Sequence, residues 1–243
     1  MRPERTAIVT GAGKRVGAVI ARSLLADGWG VLAHVHHEDD PVPEGATKVV
    51  ADLADLSCAE AIFGAAAGLP PVRLLVNNAA RFAHDALGEL SADEFDDHMH
   101  VNVRAPALLI EALARRHERG DALVVNLLDS KLSAPNPDFL SYTLSKYALA
   151  ALTELAARAL APRSIRVNGI APALMLRSAG QSEENFEAMH ANNPLCRAVE
   201  PSDVVAALRY LVGAAAVTGQ VITIDGGHRF MGLGRDVQFL GGE

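Results

Sequence analysis

The feature that most constrains this chain is an alternation of short apolar runs with longer helical patterns. The runs are rich in Val and Ile and do not alternate with polar residues, which is typical of strands buried on both faces. They cover residues 6–10, 30–35, 47–50, 73–79, 122–128, 165–170 and 220–226. Strand–helix alternation of this kind predicts an α/β fold, a doubly wound parallel sheet of about seven strands with helices on both faces.

Helical periodicity fills most of the connections between these runs. It predicts helices over about 14–26, 55–67, 91–117 and 140–160, and one more that begins near Pro201. Ser91 and Glu94 form a capping-box pattern, in which each side chain bonds the backbone N–H of the other residue. The connection 34–46 is polar and contains proline without a helical period, so the second crossover is predicted to be abbreviated.

The chain shows no linker, internal repeat or low-complexity stretch. Its 243 residues suit one large α/β domain better than two ordinary ones. We therefore predict a single domain over 1–243, with a substrate lid at 171–196 and a C-terminal tail at 228–243. The lid is predicted because long irregular segments on α/β sheets often cover a ligand.

Composition and charge exclude several classes of protein. A hydrophobic content of 50% excludes a disordered chain. The net charge of −7 argues against nucleic-acid binding, which calls for a basic surface. No apolar run approaches the ~20 residues that a membrane span needs, and no signal peptide is recognisable. A cytoplasmic location without membrane attachment is therefore expected.

The sequence offers no pattern of metal ligands. Cys58 and Cys196 are too few and too unpatterned for a disulfide framework or a metal cage, and we interpret them as free thiols in a reducing compartment. Several histidines show no ligand spacing with other His, Cys or acidic residues, namely His84, His98, His100 and His190. No metal site is predicted.

The segment TGAGKRVG (10–17) joins the first predicted strand to the first predicted helix. Gly11, Gly13 and Gly17 permit a tight turn and a close backbone approach, and the helix N-terminus offers unpaired N–H groups to a phosphate. In the first βα unit of a doubly wound sheet, such a turn predicts dinucleotide binding.

Tyr142 and Lys146 stand four residues apart on a predicted helix, so both side chains project from one face. A phenol with a pKa of ~10 is a poor acid–base catalyst at neutral pH. A neighbouring ammonium group stabilises the phenolate. We therefore expect Lys146 to lower the pKa of Tyr142 toward the working range.

Together these elements resemble the short-chain dehydrogenase/reductase family over roughly residues 5–230. The matching motifs are TGAGKRVG (10–17), ADL (51–53), NNAA (77–80), Asn102, Asp129…Tyr142…Lys146, VNGIAP (167–172) and TGQVITIDGG (218–227). The resemblance implies a Rossmann fold and a nicotinamide-dependent oxidoreductase that acts on a small molecule. It also implies that Tyr142 supplies a proton, that Lys146 holds the nicotinamide ribose, and that Asn102 helps to hold a water beside Lys146.

The same resemblance implies the cofactor contacts. They are Gly11, Lys14, Arg15, Val16, Gly17, His36, His37, Asp52, Leu53, Asn78, Ala79, Tyr142, Lys146 and Pro172. NAD-specific members carry an acidic residue at the end of the second strand, which binds the ribose 2′-OH. Here that strand ends in HVHH, and Lys14 and Arg15 suit a 2′-phosphate. NADP(H) is therefore predicted over NAD(H), although Glu38 would repel a 2′-phosphate if it pointed inward.

Most of the family carries serine thirteen residues before the tyrosine, whereas this chain carries Asp129. A carboxylate beside a developing alkoxide has the wrong charge for ketone reduction. It suits a C=N bond in a ring whose N–H and amino groups donate hydrogen bonds, and a carboxyl group can also pass a proton to a ring nitrogen. We therefore add Asp129 to the catalytic residues that the resemblance implies, which are Tyr142, Lys146 and Asn102.

Further features resemble the pteridine reductase branch of the family, which includes dihydromonapterin and dihydrofolate reductases. They are the TGAGKRVG turn, the His34-Val35-His36 run and an aromatic residue, Phe82, after NNAA. The resemblance implies that Phe82 stacks on the pterin ring. The predicted substrate contacts are Phe82, Asp129 and Tyr142.

Alternatives stay open at this point. A shift of one residue would put Ser130 in the serine position, and the chain would then be an ordinary carbonyl reductase or alcohol dehydrogenase. A regulator that binds the cofactor without turnover is a third reading. Arg81 and Arg177 are either partners for a substrate carboxylate or solvated surface charges.

The family resemblance also implies a homotetramer. Its interface would use the long helices predicted at about 91–117 and 140–160. The tail is apolar in part (RFMGLGRDVQFLGGE), and we interpret it as a segment that packs on a neighbouring subunit.

Overall fold

The computed structural model describes residues 3–240, and residues 1, 2 and 241–243 of the predicted domain and tail lie outside the described residues. Within this range the strands form one parallel sheet in the order β3-β2-β1-β4-β5-β6-β7. Their bounds are β1 Thr6–Val9, β2 Gly30–Val35, β3 Thr47–Val50, β4 Val72–Asn77, β5 Ala122–Leu127, β6 Ile165–Pro172 and β7 Val221–Ile224. The predicted fold class is confirmed.

Helices cover both faces of the sheet. They are α1 Arg15–Ala26, α2 Cys58–Ala65, α3 Ala92–Met99, α4 Ala105–Arg116, α5 Leu140–Leu160, α6 Glu183–His190 and α7 Pro201–Gly213. One core cluster packs α1 and α7 against the sheet, and a second packs α2, α4 and α5 against the opposite face. The strands contribute side chains to both clusters, which explains why their sequences are apolar without alternation.

The connection between β2 and β3 contains no helix, as its polar, proline-containing sequence predicts. By contrast, the lid predicted at 171–196 contains α6. The Ser182 side chain caps this helix by accepting a hydrogen bond from the Asn185 N–H at 3.1 Å. No helix among residues 3–240 is both long enough and apolar enough to cross a membrane.

The prediction of one uninterrupted helix over 91–117 is wrong, because a π-helical turn at His100–Arg104 lies between α3 and α4. Pro106 has no N–H to donate to the carbonyl of Asn102, so the regular i→i−4 ladder fails at this point. π-turns inside helices are frequent at functional sites. Here the turn carries Asn102.

The capping box at the start of α3 is only half formed. The Ser91 hydroxyl accepts a hydrogen bond from the Glu94 N–H at 3.4 Å. The Glu94 carboxylate instead binds the Arg81 guanidinium, at 2.7 and 2.8 Å. A charged partner outside the helix competes with the Ser91 backbone N–H, and the sequence pattern of the helix alone cannot show it.

Candidate active site

The chain order of the strands reverses between β1 and β4, which are neighbours in the sheet. In doubly wound sheets, ligands bind at this switch point, beyond the carboxyl ends of the strands. A cavity of about 1030 Å³ lies here. It is lined by all the predicted cofactor residues and by the predicted substrate residues Phe82, Asp129 and Tyr142. Of the predicted site residues, Asn102 alone is not part of the lining.

The glycine turn leaves no room for side chains. A Cβ atom on Gly17 would lie 2.1 Å from the Gly11 carbonyl oxygen and 2.5 Å from the Asn78 side-chain nitrogen. Gly11 has a φ of +64°, in the left-handed region that favours glycine. Backbone N–H groups at the start of α1 can therefore approach a ligand closely, and this cradle fits the diphosphate of a dinucleotide.

Asn78 and Ala79 close the cradle from the end of β4. The Thr10 hydroxyl accepts hydrogen bonds from the N–H groups of both residues, each at 3.0 Å. The Asn78 side-chain amide donates to the Thr10 carbonyl at 2.8 Å. These bonds lock the chain after β4 against the glycine turn, so both segments hold a fixed spacing across the cavity.

His34 supports the cradle from beneath, a role that the sequence did not reveal. Its ring is buried, and Nδ1 accepts a hydrogen bond from the Gly11 N–H at 3.2 Å while Nε2 donates to the Ala51 carbonyl at 3.0 Å. Burial lowers the pKa of His34, against the opposing effect of the Ala51 carbonyl. A neutral imidazole of this tautomer ties β2, β3 and the glycine turn together.

The adenosine end of the cavity carries charged and polar groups. The rings of His36 and His37 stack with their centroids 4.1 Å apart, and His36 Nε2 lies 3.8 Å from an Asp52 carboxylate oxygen. Lys14 and Asp52 line the cavity, whereas Glu38 is not among its lining residues. The carboxylate that would repel a 2′-phosphate therefore does not point inward.

The Arg15 guanidinium makes a different contact from the predicted one. It donates to the backbone carbonyls of Arg177 at 2.8 Å and Leu176 at 3.1 Å. Arg15 has a φ of +51°, an uncommon conformation for a residue with a side chain. The guanidinium links the glycine turn to the lid, Arg15 also lines the cavity, and its predicted role as a 2′-phosphate ligand stays a prediction. Pro172, at the end of β6, leads from the sheet into the same lid.

The predicted catalytic residues Asp129, Tyr142 and Lys146 meet at the carboxyl end of β5. Tyr142 Oη donates to Asp129 Oδ2 at 2.8 Å, and the other oxygen of Asp129 accepts the Lys131 N–H at 2.8 Å. Lys146 Nζ donates to the Leu127 carbonyl at 2.7 Å. The residue that bonds to the tyrosine is Asp129 rather than Ser130, which removes the register shift considered above.

The pKa of Tyr142 moves in the opposite direction from the predicted one. Burial, and then the charge of Asp129, raise it well above its ordinary value of 10.0. Burial likewise raises the pKa of Asp129, against the hydrogen bonds that this carboxyl accepts. Burial lowers the pKa of Lys146 to about 8, although Asp129 opposes this change. The ammonium group donates to the Leu127 carbonyl and lies 5.6 Å from the centroid of the Tyr142 ring, without a hydrogen bond to the phenol oxygen.

Asn102 and His98 clamp the segment 81–83, which carries Phe82. The Asn102 side chain accepts from the Arg81 N–H at 2.8 Å and donates to the Arg81 carbonyl at 3.0 Å and to Ser145 Oγ at 2.9 Å. His98 is fully buried, and its Nε2 accepts from the Ala83 N–H at 3.2 Å. The Asn102 side chain therefore positions the segment beside α5, and its predicted role in holding a water stays a prediction.

Phe82 belongs to a column of aromatic rings. It stacks on Phe139 with centroids 4.4 Å apart and an interplanar angle of 17°, and it meets Tyr142 edge-on at 4.7 Å. Its side chain is 41% exposed and lines the cavity. Because Phe139 covers one face of Phe82, the exposed part is available for another flat ring.

The two arginines suggested as partners for a substrate carboxylate both bind other groups of the same chain. Arg81 binds Glu94 through two hydrogen bonds, and its NH2 group lies 3.7 Å from Asp97. Arg177 donates to the Gln181 carbonyl at 3.4 Å within the lid. Arg81 is thus ion-paired rather than simply solvated.

The structure adds one group of residues that sequence reasoning left out. The tail folds back on its own chain, and Asp236 and Val237 line the cavity together with Lys131. The described part of the tail therefore packs on its own chain, and its contact with a neighbouring subunit stays a prediction. Its apolar and aromatic composition signals a buried contact, but sequence does not show against which surface.

Comparisons with known proteins agree with this geometry. A family model described as enoyl-(acyl carrier protein) reductase matches residues 11–229. L-xylulose reductase of Bos taurus is 33% identical over 236 residues, covering 92% of this chain and 96% of that protein. Pteridine reductase 1 of Leishmania tarentolae is 32% identical, covering 91% and 95%.

Among solved structures, FolM alternative dihydrofolate reductase 1 from Brucella suis, in complex with NADP, superimposes with a TM-score of 0.87. It is 36% identical and covers 95% of this chain and 97% of its own. These likenesses include the pteridine reductase-like branch that the sequence suggested. The chain belongs to the short-chain dehydrogenase/reductase family of NAD(P)H-dependent oxidoreductases.

Proposed function

We propose that this chain is an NADPH-dependent reductase of a pterin-like heterocycle of the dihydropterin or dihydrofolate class. The observation that carries the proposal is the hydrogen bond between Tyr142 Oη and Asp129 Oδ2, 2.8 Å long. It lies beside the exposed edge of Phe82, whose ring meets Tyr142 edge-on. A carboxyl group, a phenol and a flat apolar wall thus converge on one volume.

The charge at this point favours a ring C=N bond over a ketone. Reducing a ketone builds negative charge on oxygen, which an adjacent carboxylate would destabilise. Reducing a C=N bond needs a proton on nitrogen, and the pKa values of Asp129 and Tyr142 are both raised above their ordinary values. Tyr142 therefore keeps its proton until hydride transfer makes the ring nitrogen basic enough to accept it, while both oxygens of Asp129 accept hydrogen bonds.

Several residues of the chain have separate roles in the proposed reaction. When bound, a reduced nicotinamide supplies a hydride to the ring carbon. Tyr142 donates its proton toward the ring nitrogen, a proton taken up from solvent then restores the phenol, and Asp129 holds the phenol in place by accepting its hydrogen bond. Lys146, with a pKa of about 8, carries its charge at neutral pH and is placed to hold ribose hydroxyls. Phe82 excludes water from one face of the reacting ring and orients it.

NADPH is proposed as the preferred cofactor. Lys14, His36 and His37 line the adenosine end of the cavity together with the carboxylates of Asp40 and Asp52, while Glu38 does not. Lys14 is a cation that suits a 2′-phosphate better than a bare ribose hydroxyl. The Brucella suis structure contains NADP, which supports the same choice.

A second candidate is a carbonyl reductase, in which Asp129 is a local variant. The likeness to L-xylulose reductase favours it. One assay separates the two: oxidation of NADPH and NADH is followed with dihydrobiopterin, dihydrofolate and a panel of ketones. Turnover of pterins supports the proposal, whereas turnover of ketones alone contradicts it. Cofactor binding without any turnover would instead indicate a regulator.

Asp129→Ser is the matched variant. We expect pterin turnover to fall by roughly a hundredfold, because a serine cannot replace the carboxylate that accepts from the Tyr142 hydroxyl and can accept from ring N–H and amino groups. Cofactor affinity should stay within about twofold. Asp97→Ser is the control, since Asp97 lines the same cavity without contacting Tyr142. Equal pterin turnover in wild type and Asp129→Ser would show that the carboxylate is incidental.

A homotetramer is proposed as the assembly, and the cytoplasmic location and the lid role of 171–196 stay predictions. Leu144, Tyr147 and Leu155 leave an apolar stripe exposed along α5. Such a stripe is typical of a helix that packs against another subunit. Light scattering should give four times the monomer mass of 25.6 kDa, and a monomer would remove the proposal.

A further inference from the structure

The described end of the tail lies across the substrate end of the cavity. We call residues 235–240 the C-terminal cap. Asp236 and Val237 line the cavity, and Val237 is the first residue of the 3-10 turn Val237–Phe239. The cap therefore contributes to the wall of the candidate site from within the same chain.

Ion pairs hold the cap at its first residues. Arg235 Nε donates to both carboxylate oxygens of Asp138, at 2.8 and 3.0 Å, and the Asp236 N–H donates to the same carboxylate at 2.7 Å. Lys131 Nζ binds Asp236 Oδ2 at 3.0 Å. Asp138 is buried, and Lys131 is two residues from Asp129. The fastening points of the cap thus adjoin the catalytic carboxyl.

Aromatic stacking joins the cap to the proposed substrate wall. Phe239 stacks on Phe139 with an angle of 22° and centroids 5.9 Å apart. Phe139 in turn stacks on Phe82 at 4.4 Å. The three rings form one nearly parallel column that ends at the cavity, so displacing Phe239 would loosen the support behind Phe82.

The cap is also bonded to the lid. The Asn185 side chain in α6 donates to the carbonyls of Val237, at 3.1 Å, and Leu240. The Gln238 side chain donates to the Ala179 carbonyl at 3.4 Å. Cap and lid therefore meet over the same opening, and a substituent that leaves the ring in this direction has to displace one of them.

Three cations near the cap already have carboxylate partners. Lys131 is paired with Asp236, Arg235 with Asp138, and Arg81 with Glu94. A substrate carboxylate that binds one of these three cations would have to compete with its partner. Steric closure and charge pairing thus disfavour the same kind of substrate.

We propose that the C-terminal cap is the specificity determinant of the substrate end, admitting a compact ring with a small neutral substituent and excluding bulky, acidic ones. The proposal rests on the proposed function for the identity of the ring. It assigns Arg235 and Phe239 as residues that set specificity without touching the reacting atoms.

Arg235→Ala and Phe239→Ala test the cap. We expect the ratio of kcat/KM for dihydrofolate to that for dihydrobiopterin to rise about tenfold in each, mainly through a lower KM for dihydrofolate. The matched controls are Arg209→Ala, which breaks an ion pair with Asp27 in which the arginine is similarly exposed, and Phe230→Ala, an exposed tail phenylalanine. Both controls should leave the ratio unchanged.

Hydrogen exchange gives a readout that does not depend on turnover. The Asp236 amide donates to Asp138 and the Gln238 amide to Asp236, and both should exchange faster in Arg235→Ala than in wild type. An unchanged substrate ratio in both cap variants, with wild-type unfolding temperatures, would overturn the proposal.

A failure of the proposed pterin reduction can be distinguished from a failure of the proposed role of the cap. If the wild type reduces ketones but no pterin, the same ratio is measured with a diaryl ketone against a methyl ketone. A rise in Arg235→Ala and Phe239→Ala then supports the cap as a size filter, and no rise rejects it.

Discussion

The two ends of the cavity are built in different ways. At the cofactor end the glycine turn forms one wall, and its shape depends on side chains that are missing at Gly11 and Gly17. At the substrate end the surface consists of side chains that come from separate parts of the chain, such as Phe82, Asp129 and Asp236. The first end follows from one short motif, whereas the second exists only after folding.

The difference also concerns charge. The cofactor end is open to water at its histidines and lysine, so its electrostatics are screened. The substrate end buries Asp129, Tyr142 and Lys146, and burial shifts the pKa of each of them. Substitutions at the two ends should therefore differ in kind as well as in size.

The largest effect is expected at the substrate end. Tyr142→Phe removes the hydroxyl that donates to Asp129, and should reduce kcat by roughly a thousandfold, because general acid catalysis contributes about 10²–10⁴. Cofactor affinity, measured by fluorescence titration, should change less than about threefold. Tyr147→Phe on the same helix removes a hydroxyl bonded to the Leu132 carbonyl and is the control. Similar losses in both variants would mean that α5 is merely disturbed.

A steric change in the glycine turn should weaken binding of the cofactor. Gly17→Ala places a Cβ atom 2.1 Å from the Gly11 carbonyl oxygen. Either the cradle widens or α1 shifts, so we expect NADPH to bind roughly a hundredfold more weakly in a calorimetric titration. Gly64→Ala in α2 meets no atom within 4 Å and should bind NADPH as the wild type does. Unaltered binding in Gly17→Ala would show that this close approach does not matter.

Stability as a function of pH should reveal the buried lysine. Lys146 keeps its proton to about pH 10.5 when unfolded but loses it near pH 8 when folded. Between these values the unfolded state binds more protons, so the free energy of unfolding rises with pH. Relative to Lys146→Met, cofactor-free wild type should gain roughly 2–3 kcal/mol between about pH 7 and 10 in urea unfolding.

Tyr142 makes the opposite contribution, because its pKa is raised in the folded chain. This contribution begins near pH 10.0, where the unfolded chain starts to lose the Tyr142 proton and the folded chain keeps it. The window below that value therefore reports on Lys146. If the difference in the free energy of unfolding between wild type and Lys146→Met does not change with pH, the lowered pKa of a buried Lys146 ammonium group is contradicted.

The smallest effect is expected from an exposed charge at the cofactor end. Lys14→Ala should weaken NADPH binding about fivefold at low salt and leave NADH binding unchanged, since only the 2′-phosphate needs the charge. Arg22→Ala on the outer face of α1 is the control. The loss should shrink as salt is added, and an equal loss for both cofactors would argue against a 2′-phosphate subsite at Lys14.

Several parts of the fold could be predicted from sequence because they depend on local patterns. The apolar runs gave β2 and β3 with their observed bounds, 30–35 and 47–50. The helix at 140–160 was likewise predicted with its observed ends. The π-turn was missed, because the periodicity of 91–117 outweighed the single missing N–H of Pro106.

The sequence by itself determined the sheet, the glycine cradle and the spacing that sets Asp129 against Tyr142. These features depend on strand and helix periods, on the absence of a Cβ and on positions within one segment, all of which can be read along the chain. The tertiary structure decided the direction of the Tyr142 pKa, the use of Arg15 by the lid and the place of the tail. Each of these depends on burial or on contacts between residues far apart in sequence, and those exist only when the chain is folded.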